Sequence, residues 1–246
     1  MSRYLESIEK LRAAKKRFAD RSYKEVYDTS IPIDEKRSKS NERQKTILMY
    51  ELAQNRLAQK LFQKNLKTAI RKRLNLIVSI IAKSDKLFES AMAYDGLKTE
   101  QRRELFQNLA DGLREYLNID APLKIVMIHD EEQSGLMGNT LLLSEIFDGI
   151  TSLDQQLKVF NHEFEHFLDD FAPGRGFLPQ EIKNVRIKGF PSENKLMDMV
   201  YREDPYEYVA YALSDATKNM KQKIIKARQS YIVQSNLSMG NLATNY

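Results

Sequence analysis

Apolar residues recur at steps of three and four along the first half of the chain, the spacing that places them on one face of a helix. This pattern predicts helices over residues 3–27, 42–83, 85–94 and 100–117. The stretch 29–41 carries a proline, three serines and many charges, which is typical of a linker. The longest helix, interrupted at Asn65, has its apolar stripe at Leu57, Leu61, Phe62, Leu66, Ile70, Leu74, Ile77 and Ile81.

The pattern changes in the second half. Residues 123–128 and 141–143 are short apolar runs that predict β-strands. A strong helix is predicted over 153–171, because Ser152 and Gln155 form a capping box at its start. The remaining predicted elements are a loop-rich stretch to 194, a short helix at 195–201 and a helix from 204 towards 235.

These elements predict an α+β fold that is mostly helical. A helical region, 1–118, would precede a small domain, 119–246, with a short β-sheet. The net charge of +5 is divided unevenly: residues 1–120 hold 26 Lys and Arg against 17 Asp and Glu, and residues 121–246 hold 13 against 17. The resulting charges of +9 and −4 favour two parts with different roles.

Composition excludes several classes of protein. The chain has no cysteine, which rules out a disulfide scaffold and a cysteine-ligated zinc site. The longest apolar stretch, at 76–82, is too short to span a bilayer, so no transmembrane segment is expected. The N-terminal residues lack the apolar core of a signal peptide. We therefore expect a cytoplasmic protein, or one exported without a cleavable signal.

The sequence HEFEH at 162–166 holds two of the three histidines and matches H-E-x-x-H on a predicted helix. One helical turn is about 3.6 residues, so His162 and His166 project side by side and can share one metal ion. Glu163 lies next to the first histidine, where a carboxylate can take a proton from metal-bound water. The motif predicts a Zn²⁺ site with Glu163 as general base.

The helical wheel supports this interpretation. An apolar stripe occupies one side of the helix, and His162 and His166 lie on the opposite side, with Glu163 on their flank. One face would pack in the core and the other would line a cleft. The competing interpretation is an ordinary solvated face, because three further acids lie there: Glu165, Asp169 and Asp170. The stripe consists of Leu153, Leu157, Phe160, Phe164, Phe167, Leu168 and Phe171.

A catalytic zinc usually has three protein ligands and one open position. The favoured third ligand is Glu207, on the helix that Asp204 and Pro205 open. Capping offers a second explanation, because Asp204 followed by Glu207 is itself a capping box. The rival ligands are Glu203, Asp204, Asp169, Asp170 and His129. Asp169 could also orient a histidine ligand without binding the metal.

Tyrosines cluster next to Glu207. Tyr208 and Tyr211 are candidates for binding substrate or stabilising the oxyanion of a tetrahedral intermediate. Packing against a neighbouring helix would explain the same tyrosines without any catalytic role. The sequence does not choose between these explanations.

HEFEHFLDD (162–170), the strand-like NTLLLSEIF upstream and EYVAYA (207–212) together resemble a gluzincin-type zinc metallopeptidase, nearest to the anthrax lethal-factor type. The resemblance covers about residues 123–220. It implies a zincin-like domain with His162, His166 and Glu207 on zinc and Glu163 as the base. Compact domains of this type occur in bacterial toxins, effectors and phage or mobile-element proteins. The chain departs from the pattern at Glu165, where a small residue is usual, and at Tyr211, which replaces the aspartate of thermolysin-like enzymes.

The helix at 42–83 is strongly basic: residues 43–83 hold ten basic side chains and one acid, Glu51. Two specific functions would explain this charge: binding of nucleic acid and binding of an anionic membrane. A solvated face or a docking arm for an acidic partner would explain the same residues, and no aromatic interleaving supports base stacking. The basic stripe is Arg56, Lys60, Lys64, Lys67 and Arg71, with a local cluster at 71–73.

Together these patterns predict a zinc-dependent endopeptidase that hydrolyses a protein or peptide substrate. Two other classes stay open. One is a basic helical protein that binds nucleic acid or acts as a scaffold, with a non-catalytic zincin-like domain. The other is a zincin fold in which zinc is structural or catalysis has been lost.

Overall fold

The computed structural model describes residues 2–26, 33–128, 134–145, 152–178 and 195–243. They form two compact units, one of residues 1–66 and 178–209 and the other of residues 67–177 and 210–246. Two helices, α2 (Ile33–Lys83) and α7 (Pro205–Ala216), are continuous and contribute residues to both. The predicted α+β class is confirmed, because the described residues are mostly helical and include one small three-stranded sheet.

The first unit contains α1 (Ser2–Val26), the first part of α2, α6 (Lys195–Arg202) and the start of α7. Two buried amide side chains of α2 hydrogen-bond to backbone carbonyls at the end of α6. Asn55 donates to the Val200 carbonyl at 2.9 Å, and Gln59 donates to the Glu203 carbonyl at 2.8 Å. The last carbonyls of a helix have no partner within the helix, so these bonds satisfy groups that burial would otherwise penalise.

The second unit holds the sheet, in the order β1 (Lys124–Ile128), β3 (Thr140–Ser144), β2 (Gly135–Met137). Strand β1 is parallel to β3, with Ile125 opposite Leu141, and β2 is antiparallel to β3. Ile125 and Leu141 are fully buried, which fixes the face that packs on the helices. Strands β1 and β3 match the two predicted runs, whereas β2 has no counterpart in the prediction.

Helix α5 (Leu153–Phe171) is the predicted HEFEH helix, and its bounds are confirmed. Ser152 and Gln155 form the expected capping box. The predicted stripe is buried from Leu153 to Leu168 at 1% exposure or less, and Phe171 alone is exposed, at 39%. The Phe160 ring lies 5.3 Å from Phe106 of α4 (Thr99–Leu117), so aromatic contacts attach α5 to that helix.

Some predicted bounds are wrong. Helix α2 begins at Ile33, so the described part of the predicted linker at 29–41 is helical. The helix predicted from 204 to 235 is two helices, α7 and α8 (Met220–Ala243), and Asn219 between them has a left-handed backbone with φ of 54°. The shorter elements are α3 (Asp85–Met92) and a 3₁₀ turn at Tyr94–Gly96.

The predicted division into 1–118 and 119–246 stays a prediction. Its boundary, between α4 and β1, lies inside the second compact unit. Within the part of the chain that the structure describes, every helix is too short or too polar to cross a membrane.

Candidate metal centre

The two histidines of α5 face each other across one turn of the helix. The Nε2 atoms of His162 and His166 are 3.1 Å apart, and the ring planes meet at 87°. His166 is only 7% exposed, and His162 is half-buried. The i, i+4 spacing thus brings two imidazole nitrogens to one point at the edge of the core.

Helix α7 places a third candidate ligand at the same point. The Tyr211 ring packs against the His162 ring, with centroids 4.7 Å apart. Glu207 is four residues earlier on the same continuous helix, so its side chain lies on the face that carries Tyr211. The ligand atoms of His162, His166 and Glu207 all lie within 4.8 Å of one another. The favoured set of three predicted ligands is therefore brought together.

The hydrogen bond that would make Glu207 part of a capping box involves the backbone N–H of Asp204. Asp204 does cap α7, because its Oδ1 accepts the Tyr206 backbone N–H at 2.9 Å. A capping box would also need Glu207 to accept the backbone N–H of Asp204. That N–H instead donates to the Tyr201 carbonyl at 3.0 Å. The Asp204 side chain thus caps α7, and its N–H, the group that a capping box would offer to Glu207, bonds to the Tyr201 carbonyl.

The rival ligands have other positions. Glu203 receives two hydrogen bonds from Arg56, at 2.6 and 2.9 Å. Asp169 and Asp170 do not join the converging ligand atoms of the described residues. His129 lies outside the described residues. Glu163 is buried at 8% exposure beside His162 and is not one of the three converging residues, as a base rather than a ligand would be.

The two candidate tyrosines have different surroundings. Tyr211 lies directly on His162. The Tyr208 hydroxyl accepts a hydrogen bond from Gln63 at 3.2 Å, and its ring centroid is 6.3 Å from that of Phe62. Tyr211 is therefore the better placed of the two to contact a group bound at the histidines.

Sequence reasoning missed a buried ion pair beside the motif. Glu165 is fully buried, not on a solvated face, and one carboxylate oxygen lies 3.4 Å from Arg73 of α2, itself 6% exposed. Asp169 is also buried, at 2%, whereas Asp170 is exposed. Burial raises the pKa of Glu165 and lowers that of Arg73, and the charge of each partner opposes the shift of the other. The departure from a small residue at 165 was the available signal.

The basic stripe on α2 is partly used within the protein. Lys60, Lys64, Lys67 and Arg71 are exposed as expected. Arg56 is also exposed, but it forms the ion pair with Glu203 described above. Arg73 is buried, so the predicted surface cluster at 71–73 is wrong for this residue.

The donor set fits zinc. Two nitrogens bound to a tetrahedral zinc at 2.0–2.1 Å lie about 3.3 Å apart, close to the 3.1 Å between the Nε2 atoms here. Two histidines and one carboxylate are a ligand set found on catalytic zinc, with a fourth position left for water. Hydrogen bonds among the two imidazoles and the carboxylate would hold the same three side chains together without any metal, so metal content distinguishes the two explanations.

Comparison with known proteins does not identify a family for this chain. No protein-family model, curated protein or solved structure matches the chain. The function of the site must therefore be inferred from its own residues.

Proposed function

We propose that the protein is a zinc-dependent peptidase whose metal ligands are His162, His166 and Glu207. The observation that carries the proposal is the convergence of these three side chains within 4.8 Å, from two different helices. The motif alone required only that the histidines be neighbours, because both lie on one helix. The carboxylate comes from a residue 41 positions after His166, so its arrival is independent support.

Each residue then has a chemical task. When bound, zinc supplies a Lewis acid that polarises a carbonyl and acidifies water. Glu163 follows His162 on α5, where its carboxylate can take the proton of the attacking water and deliver it to the leaving amine. Its burial excludes bulk water, and electrostatic interactions in the site are stronger for that reason.

The substrate in this proposal is a protein or peptide, and the resemblance to gluzincins of the lethal-factor type supports that choice. Incubating a peptide library with the wild type and with Glu163→Gln, and mapping the cleaved bonds by mass spectrometry, tests it. We expect cleavage by the wild type that chelation abolishes and zinc restores. Glu163→Gln should retain one zinc per chain and lose cleavage by a factor of about 10² or more.

The same measurement separates the alternatives. A structural zinc predicts bound metal but no difference between wild type and Glu163→Gln in any activity. A non-catalytic binding protein predicts no stoichiometric zinc. Either result overturns the peptidase proposal.

Binding of nucleic acid or an acidic partner through α2 stays a separate prediction. Lys60, Lys64, Lys67 and Arg71 remain exposed, but the ion pair of Arg56 with Glu203 weakens the stripe at its first member. A shift of DNA or RNA mobility that salt suppresses, and that Lys60→Gln with Lys64→Gln abolishes, would support this role.

A further inference from the structure

The ion pair between Arg73 and Glu165 joins three segments of the second unit. Arg73 of α2 donates a hydrogen bond to the Arg175 carbonyl at 2.8 Å, and its guanidinium lies 5.0 Å from the centre of the Phe177 ring. Glu165 of α5 accepts the backbone N–H of Phe177. One buried pair therefore connects α2, α5 and the turn that follows α5.

This turn is packed tightly against the motif helix. A Cβ atom at Gly176 would lie 2.1 Å from Asp169 Oδ1 and 3.1 Å from Glu165 Oε1, so only glycine fits without a shift. Both carboxylates lie beside the histidines on the helical wheel. At about 100° per residue, Asp169 is roughly 40° and Glu165 roughly 80° from the mean direction of His162 and His166.

Glu163 lies roughly 80° from the same direction on the other flank. The proposed base, Glu163, and the carboxylate paired with Arg73, Glu165, are therefore on opposite sides of the two histidines. A rotation of α5 about its axis that moved Glu165 away from Arg73 would also change the direction in which His162 and His166 point. The pair is placed where it can fix that rotation.

Stability alone is a poor explanation for such a pair. Removing two charges from water costs free energy that their attraction often fails to return, and apolar residues of similar volume can replace buried ion pairs without loss. Arg73 makes directional contacts to a carboxylate and a carbonyl, which its planar fork suits and which fix orientation.

We propose that Arg73 is a positioning residue for the metal centre. Through Glu165 and the Arg175 carbonyl it fixes the rotation of α5 and the path of the following turn, and thereby the direction in which His162 and His166 point. The inference rests on the proposed function insofar as it concerns a bound metal. Arg73 itself contacts neither ligand nor substrate in this role.

The test needs a variant that keeps the fold. Arg73→Met alone would leave Glu165 buried without its cation, and loss of folding would then hide any effect on the site. The double variant Arg73→Met/Glu165→Gln replaces the pair by neutral side chains of similar length, and a glutamine at 165 can still accept the Phe177 N–H. Arg73→Lys keeps the charge but lacks the fork, so it should give an intermediate result.

We expect the double variant to unfold within a few degrees of the wild type and to bind zinc about 10–100-fold more weakly, the loss typical when partners that orient metal ligands are removed. At saturating zinc, kcat should fall while KM changes little. The matched control is Arg102→Met/Glu145→Gln, a second largely buried arginine–glutamate pair, 3.3 Å apart on α4 and after β3. The control should bind zinc like the wild type.

The outcomes separate the two proposals. If the wild type and the control bind zinc and the double variant does so equally well, Arg73 is not a positioning residue, and the peptidase proposal stands. If the wild type takes up no zinc, the peptidase proposal fails. Hydrogen exchange then decides on Arg73: unchanged exchange at residues 165–177 in the double variant overturns the inference, and faster exchange at unchanged thermal stability supports it.

Discussion

The Nε2 atoms of His162 and His166 approach to 3.1 Å with their ring planes nearly perpendicular. One helix provides both residues, but helical spacing alone does not orient the two rings towards a common point. The Tyr211 ring lies against His162, on the side where α7 passes. The His162 ring is therefore in contact with rings from both α5 and α7.

If the proposed site binds zinc, replacing either histidine should abolish that binding. We expect His162→Ala and His166→Ala each to lose stoichiometric zinc, because the two remaining ligands are too few for a stable site. Metal content of the purified proteins, measured by mass spectrometry, gives the result directly.

His129→Ala is the control, since it removes the third histidine of the chain. It should keep one zinc per protein. Loss of zinc in His129→Ala with retention in His162→Ala would transfer the site away from the motif and contradict the assignment.

The roles of Glu207 and Asp204 can be distinguished by measuring zinc affinity and the free energy of unfolding. Asp204→Ala removes the hydrogen bond to the Tyr206 N–H and should lower the free energy of unfolding by about 1 kcal/mol, the usual cost of losing a cap. Its zinc affinity should change little. Glu207→Gln should do the reverse: zinc should bind at least about tenfold more weakly, with stability of the zinc-free protein nearly unchanged.

Calorimetric titration with zinc and denaturant unfolding of the zinc-free proteins provide the two measurements. Equal losses of stability and no change in zinc affinity for both variants would restore the capping explanation for Glu207.

Helix α5 was predictable because its signals are local. Ser152 and Gln155 cap it within one turn, and its apolar stripe determines which face is buried, so the bounds 153–171 follow from neighbouring residues. Strand β2 has three residues, one of them glycine, and it exists through pairing with β3. The residue pattern of so short a segment does not predict its pairing with β3.

The ion pair behind the motif could not be predicted for a related reason. Arg73 and Glu165 are 92 positions apart, and each, taken alone, resembles a surface residue on a helix with other charges. Their burial depends on the packing of α2 against α5 in the folded chain. The break between α7 and α8 likewise depends on the left-handed backbone at Asn219, a conformation that asparagine permits but does not require.

Tyr211 should contribute to catalysis more than Tyr208. If the Tyr211 hydroxyl stabilises the oxyanion, Tyr211→Phe should lower kcat by roughly 10²-fold and leave zinc affinity unchanged. The Tyr208 ring lies near Phe62 and its hydroxyl near Gln63, whereas the Tyr211 ring lies on His162, so Tyr208→Phe should have a much smaller effect. Steady-state kinetics of the two variants on one cleaved peptide compare them, and the opposite ranking would assign the role to Tyr208.

Gly176→Ala should strain the turn after α5. The added Cβ would meet Asp169 Oδ1 at 2.1 Å, and Asp169 is buried at 2% exposure, so its carboxylate has little room to move. We expect a loss of about 1–3 kcal/mol in the free energy of unfolding, the range for overpacking a tight site. Thermal or denaturant unfolding of the zinc-free protein measures it.

Gly96→Ala is the matched control, because among the described residues, its two chain neighbours apart, no atom lies within 4 Å of a Cβ placed there. Its stability should equal or slightly exceed that of the wild type, since alanine restricts the unfolded chain more than glycine does. Equal stability of Gly176→Ala and Gly96→Ala would mean that the turn yields easily. A turn that accommodates the extra Cβ would also weaken the case that Arg73 and Glu165 fix its path. This comparison therefore tests the positioning role of Arg73 without any metal.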